Sequence, residues 1–396
     1  MGVGDQAGER WAAAARANVP PFHVMDMIDA ASRRAATGAP VFALHSGQPA
    51  TGAPEAVRAE ATRLLASGDP LGYTPAVGIP ELRAAIAEHY GAWYDVDVSP
   101  DEVVVTTGAS GGFLLAFLAA FEPGDVVAMA RPNYACYRNV LMALGCRVVE
   151  LPTGPETRFQ PTVDQLAGVR GLRGVLLASA ANPTGTMLLP GELAEIVAWC
   201  EEHGVQVISD EIYHGLEYAG TPATRLSRTT WSTSRRPVVF GSFSKYFSMT
   251  GWRLGWMLAP AHLRRAVEVL TGNFTICPPA LGQRAAVQAF SATAGAELDG
   301  HVARYAANRR LMLSRLVDMG ITRLAPADGA FYVWADVGHL TSDTLAWSHR
   351  LLADTGVAVA AGVDFDTEQG HRFVRMSFAG DPGEIAAGLD ALAAYV

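Results

Sequence analysis

The string Gly241 to Gly255, GSFSKYFSMTGWRLG, sets one lysine in a serine-rich turn and an arginine eight positions after it. Lys245 follows an apolar run, a setting that would strip water from its ammonium. A desolvated amine gives up its proton more readily and becomes a nucleophile towards aldehydes. Ser242 and Arg253 offer a hydroxyl and a guanidinium, the natural ligands of a phosphate dianion. A lysine at a strand end, taken alone, is more often a surface or ion-paired residue.

Other polar strings follow apolar runs in the same way. Asp210, in SDEIY, ends the run VQVIS. A carboxylate there is costly to bury without a fixed positive partner, although it could equally cap a following helix. Asn182, in ANPTG, sits in a plain turn signal. Thr106 to Gly112 (TTGASGG) joins EVVV to a helix expected to start near Phe113, and N–H groups at a helix start can bind phosphate without basic side chains. Arg375, in HRFVRMSFA, lies between apolar residues, where its planar fork calls for an anion such as a carboxylate.

The elements that must position these residues read as two lobes. From about Glu102 to Pro260 the runs EVVVTT, DVVAMA, GVLLAS, VQVISD, PVVFGS and GWMLAP alternate with helical stretches. Continuous apolar runs imply strands covered on both faces, hence an α/β lobe with a mostly parallel sheet. Ligands of such sheets bind beyond the strands' carboxyl ends, where the polar strings lie. After Ala289 a long helical stretch through Leu316 precedes three strand candidates, GAFYVWADV, GVAVAAG and HRFVRMSFA, a smaller α+β lobe. The helical stretch Phe22 to Ala36 packs on the large lobe or bridges the two. The expected division is residues 1–46 as an N-terminal segment contributing to the small domain and covering the active site, 47–288 as the large domain and 289–396 as the small one. FLLAFLAAF, Phe113 to Phe121, reads as a buried helix.

The chain has 396 residues, half of them apolar and 17% charged, enough for a sizeable core. A formal charge of −9 with no basic block argues against a nucleic-acid surface. Cys136, Cys146, Cys200 and Cys277 are scattered with no His cluster, so neither a disulfide framework, a zinc site nor another metal is expected. Met1 to Arg16 lacks signal-peptide character, and no apolar run reaches the roughly 18 residues a membrane span needs. A cytoplasmic protein with a small-molecule partner is expected.

Taken together, the strings resemble the class I/II aminotransferases of fold type I, which depend on pyridoxal 5′-phosphate, and the resemblance covers nearly the whole chain. It rests first on S-x-S-K-x-x-x-x-x-G-x-R-x-G, matched from Ser242 to Gly255. The resemblance implies that Lys245 carries the cofactor as a Schiff base, with Ser242, Arg253, Gly108, Ala109 and Ser110 around the phosphate. It gives Asp210 the ring nitrogen, Tyr213 and Asn182 the phenolic oxygen, and Tyr134 the face of the ring. Arg375, Asn182 and the backbone N–H of Gly47 would hold the substrate α-carboxylate. Tyr73 would reach the phosphate of a neighbouring subunit, so a homodimer with shared sites is implied.

The same resemblance implies ping-pong transamination between an L-amino acid and a 2-oxo acid, with Lys245 as the general base. Relatives with acidic substrates carry a lysine at the position of Ser110. Its absence, with the apolar segment around Phe22 expected to fold over the side chain, points to a neutral aliphatic donor such as valine or alanine and to pyruvate or 2-oxoglutarate as acceptor. An aspartate- or aromatic-specific aminotransferase and a lyase using the same site are alternatives. A protein that only senses the cofactor is a remote one.

Overall fold

The computed structural model describes residues 12–218 and 229–396. The first eleven residues of the expected N-terminal segment lie outside the described residues. Seven strands form the large sheet: β1 (Val103–Thr106), β2 (Val126–Arg131), β3 (Arg147–Pro152), β4 (Leu172–Ala178), β5 (Gln206–Asp210), β6 (Val238–Ser242) and β7 (Gly255–Leu258). Their order across the sheet is β1-β7-β6-β5-β4-β2-β3. Neighbours from β6 to β3 pair in parallel, and β7 runs antiparallel to both β6 and β1. The expected mostly parallel sheet covered by helices is therefore present.

Strand β3 has no counterpart among the apolar runs of the sequence. It is an edge of the sheet, and five of its six residues are half-buried or exposed, so Arg147 and Glu150 can stand among its valines. A strand covered on one side need not be apolar throughout.

The helix expected to start near Phe113 instead begins five residues earlier and spans Gly108–Ala120. The glycine-rich string is thus its first turn rather than a preceding loop. Phe113 and Phe117 are buried on one side of it, and the Phe113 ring lies 4.2 Å from that of Phe240 on β6. Burying side chains of this size stabilises by about 1.5–3 kcal/mol each, and here the burial also fixes where the helix starts, beyond the end of β1.

The smaller sheet is antiparallel: β8 (Tyr332–Asp336), β9 (Ala360–Ala361) and β10 (Phe373–Ser377), in the order β8-β10-β9. Helices Ala292–Asp318, Thr344–Thr355 and Pro382–Tyr395 accompany it, each with a side-chain cap at its start, from Ser291, Asp343 and Asp381. The run GVAVAAG contributes only two residues to this sheet. Its first half pairs with the N-terminal segment instead: Phe42 N–H donates to Gly356 O and accepts Ala358 N–H at its own carbonyl.

The helix His23–Ala36 packs on the small lobe, where Met27 and Ala31 bury against Leu352 and Ala358. One apolar core runs through both lobes, joining Val105 and Trp256 to Val333 and Val374. All four cysteines are free. Among the described residues no helix is long and apolar enough to cross a membrane, and no cluster of acidic, His or Cys side chains is placed to hold a metal ion.

Candidate active site

Pairing across the large sheet brings the polar strings to one end of its strands. Asp210 is level with Ala178 and Phe240, and Gly255 is level with both Ser242 and Thr106. The strand ends therefore deliver Asp210, the Ser242 turn and the helix start at Gly108 to one place. The cavity there, about 260 Å³, is lined by Lys245, Asp210, Ser242, Arg253, Ala109 and Ser110 on the sheet side. Tyr134, Tyr213, Asn182, Gly47, Phe22 and Arg375 line its remainder.

At one end of the cavity hydroxyls, N–H groups and a guanidinium converge. Ser242 Oγ accepts from Ser244 N–H at 3.0 Å, and Arg253 Nη1 donates to Thr250 O at 2.9 Å. Gly108 lies beneath the guanidinium rather than on the cavity wall. A Cβ there would stand 2.5 Å from Arg253 Nη2, and the residue has φ +72°, so glycine is required twice over. The outward N–H groups of a helix start next to a guanidinium form a cradle for a dianion.

Deeper in the cavity Asp210 is buried, accepts from the Tyr137 hydroxyl and accepts from Ile212 N–H at 3.1 Å. Burial outweighs those hydrogen bonds and pushes its carboxyl up to about 6. No lysine or arginine among the described residues is ion-paired with it, so this carboxylate suits a cationic ligand group. Burial, reinforced by the nearby Arg375 cation, brings Lys245 down to about 8. Its Nζ donates to Gly47 O at 2.7 Å. The resemblance implies the Gly47 N–H in the site, whereas Lys245 meets its carbonyl. A phosphate cradle, an amine poised for deprotonation and a buried acceptor for a protonated ring nitrogen together fit pyridoxal phosphate.

The far wall comes from the other lobe. Arg375 on β10 is buried; its Nη1 donates to Asn182 Oδ1 at 2.9 Å and its Nη2 to His45 O at 2.8 Å. Its Nε has no partner, a donor left for an incoming anion. Asn182 spends its oxygen on this arginine, so its amide nitrogen is the group available to a ligand. The guanidinium sits over the ring of Tyr332, 4.4 Å from the centroid, and the Tyr332 hydroxyl is 2.9 Å from that of Tyr213. A Cβ on Gly47 would stand 2.5 Å from the same hydroxyl. The half-buried Tyr134 meets Phe22 edge to face at 5.7 Å.

Tyr73 is absent from this cavity and is 85% exposed. Tyr137, Tyr332, Ser244, Thr250 and His45 are the functional neighbours that the motifs do not single out. Ser244 and Thr250 stand inside the Lys245 string, so their hydroxyls were in plain view. Tyr137 and Tyr332 carry no local signal beyond an aromatic in an apolar setting. A larger cavity, about 700 Å³, lies between the ends of β2 and β3 and the small sheet. Its Arg131, Arg323 and Arg372 are paired with Asp366 or Asp336, and it contains none of the residues above.

Comparisons with known proteins agree with this geometry. Residues 39–392 match the family model for aminotransferase class I and II. The chain is 58% identical to the valine–pyruvate aminotransferase of Mycobacterium tuberculosis, over 97% of this chain and 98% of that protein. The crystal structure of an aminotransferase from Mycobacterium tuberculosis superposes with a TM-score of 0.94 at 58% identity, covering 97% of this chain and 99% of that one. The aspartate aminotransferase of Thermus thermophilus with maleate superposes at 0.89 with 29% identity, covering 98% and 100%. Given the lysine, the cradle and the buried carboxylate at one end of the sheet's strands, and a match over nearly the full length, this chain belongs to the class I and II aminotransferases and is a pyridoxal-phosphate-dependent enzyme.

Proposed function

We propose that the chain transfers the amino group of a neutral aliphatic amino acid, valine before alanine, to pyruvate, with 2-oxoglutarate disfavoured as acceptor because its second carboxylate would meet no cation. The carrying observation is the charge inventory of the cavity. Among the described residues, its only lysine and arginine side chains are Lys245, Arg253 and Arg375. The first two belong to the cofactor end in this reading, which leaves one guanidinium for one carboxylate. A dicarboxylic donor would bring a second carboxylate with no cation to receive it, a cost of several kcal/mol. Phe22, Val24, Met25 and Ile28 offer the side chain an apolar wall instead. The 58% identical relative named a valine–pyruvate aminotransferase supports the same choice.

When bound, pyridoxal phosphate supplies an aldehyde that condenses with amines and a conjugated ring that accepts charge from Cα. The chain's own residues do the rest. Arg375 grips the α-carboxylate with its fork, using the free Nε, and Asn182 adds its amide, which fixes Cα relative to Lys245. Lys245 Nζ, with its proton affinity lowered by burial, takes the proton from the substrate Cα as general base. Asp210 would hold a positive charge at the ring nitrogen, and Tyr137 keeps that carboxylate oriented. Tyr213, steadied by Tyr332, would donate to the ring's phenolic oxygen.

The large domain over 47–288, the small domain over 289–396 and the N-terminal segment as its extension are part of the same reading, supported by the packing of His23–Ala36 on the small lobe. A cytoplasmic homodimer in which Tyr73 serves the neighbouring site completes it, and the high exposure of Tyr73 is in keeping with such a role. Steady-state rates across donors test the substrate choice: valine should exceed aspartate by at least about 100-fold in kcat/KM, the size of one uncompensated charge. A preference for aspartate overturns it, and release of ammonia from the donor would assign the site to elimination.

A further inference from the structure

We propose that Asp364 is a positioning residue that holds the apolar wall of the substrate cavity in register with Arg375. The helix His23–Ala36 lacks a local cap, because the residue before it is Phe22, with no side-chain acceptor. The N–H groups of His23 and Val24 donate instead to Asp364, at 2.9 Å to Oδ1 and 2.7 Å to Oδ2. This carboxylate comes from the short turn after β9 and is 2% exposed. It acts as a helix cap supplied from the small lobe, favoured further by the positive end of the helix dipole.

The two residues after Asp364 tie the same turn to the rest of the site. The Phe365 ring lies 4.8 Å from the Arg375 guanidinium, and its carbonyl accepts from Asn133 N–H at 2.8 Å, next to Tyr134. Asp366 pairs with Arg131 at 3.4 Å. Three consecutive residues thus hold the wall helix, the carboxylate-binding arginine and the loop bearing Tyr134. Removing the Asp364 carboxylate would leave two N–H groups at a largely enclosed helix start without acceptors, and the helix must shift or fray to find water. Phe22, Val24, Met25 and Ile28 would move with it.

The consequence falls on donors whose side chains reach that wall, and this part rests on the proposed neutral aliphatic donor. The test compares wild-type, Asp364→Ala and Asp364→Asn holoenzymes in single-turnover half-reactions with valine and with alanine. It adds hydrogen exchange of the amides of residues 23–28. The ratio of valine to alanine rate constants should fall about tenfold in Asp364→Ala, the scale of one lost helix cap. It should fall less in Asp364→Asn, which keeps one acceptor, and exchange should accelerate in both. Should the alanine variant not fold, the asparagine variant carries both measurements. Equal losses for the two donors, or an unchanged ratio, overturn the role. Unchanged exchange overturns it as well, whichever donor the enzyme prefers, whereas a wild-type preference for aspartate overturns only the substrate reading.

Discussion

The two ends of the cavity contrast in how they are assembled. Asp210, Ser242 and Lys245 stand at or just beyond the ends of β5 and β6, and Arg253 just before β7, all strands of one hydrogen-bonded sheet. Their spacing is set by the ladder. Gly47, Asn182, Tyr332 and Arg375 come from four separate segments, and the wall around Phe22 and Val24 hangs on a carboxylate from Asp364. The first end is built to hold one unchanging group. The second joins two lobes through a few long-range hydrogen bonds, the construction expected where different side chains must be admitted and released.

If that contrast holds, changes at the first end should impair all donors alike, and changes at the second should discriminate among them. The largest expected effect is from Lys245→Ala, a fall of about 10⁴-fold in the half-reaction with every donor, read by single-turnover absorbance. In the cofactor-free protein the neutral amine is the reactive form, so capture of the cofactor aldehyde should rise with pH. Its midpoint should lie near about 8 rather than near the 10.5 of an ordinary lysine. Next comes Arg375→Lys. An ammonium cannot reproduce the bidentate fork, so kcat/KM should fall about 30- to 1000-fold through loss of a buried charge-assisted contact. Most of it should appear in KM, and donors with small side chains should suffer most, having least other contact. Equal losses across donors would break the contrast.

The smallest effect concerns stability. Burial raises the Asp210 carboxyl in the folded chain above its usual 3.8, to about 6. The folded state therefore binds that proton more tightly than the unfolded chain, and the contribution of Asp210 to stability becomes less favourable as pH rises through this interval. Asp210→Asn carries no such charge. The cofactor-free variant should be more stable than the parent by roughly 1–3 kcal/mol at pH 8, with the gap shrinking as pH is lowered from about 6 towards 4. Denaturant midpoints at several pH values check this. The same variant should lose activity with every donor, because the carboxylate is placed for a cation and not for folding.

How much of this was legible in the sequence follows the same division. The cofactor end is written in contiguous strings, because a residue placed at a strand's end is placed relative to the sheet by the strand itself. Strand β3 escaped because an edge strand tolerates Arg147 and Glu150, and the helix at Gly108 began early because its N–H groups, not its side chains, define its start. Tyr137 stays hidden three residues beyond Tyr134, where the partnership with Asp210 depends on how a helix lies against β5. Tyr332 reads as one more apolar position in a strand, yet its hydroxyl meets Tyr213 and its ring carries Arg375.

By itself the sequence pointed to the chemistry: a lysine behind an apolar run, a helix start and an arginine string suited to a phosphate and a carboxylate suited to a cation, each recognisable because a local segment supplies the group and its setting. Only the tertiary structure decided how the substrate end closes. The contacts there, Arg375 to Asn182 and His45, Tyr332 to Tyr213, and Asp364 to His23 and Val24, join residues 119 to 341 positions apart. No local pattern encodes a hydrogen bond over such a separation. It exists because the packing of the two lobes brings donor and acceptor together.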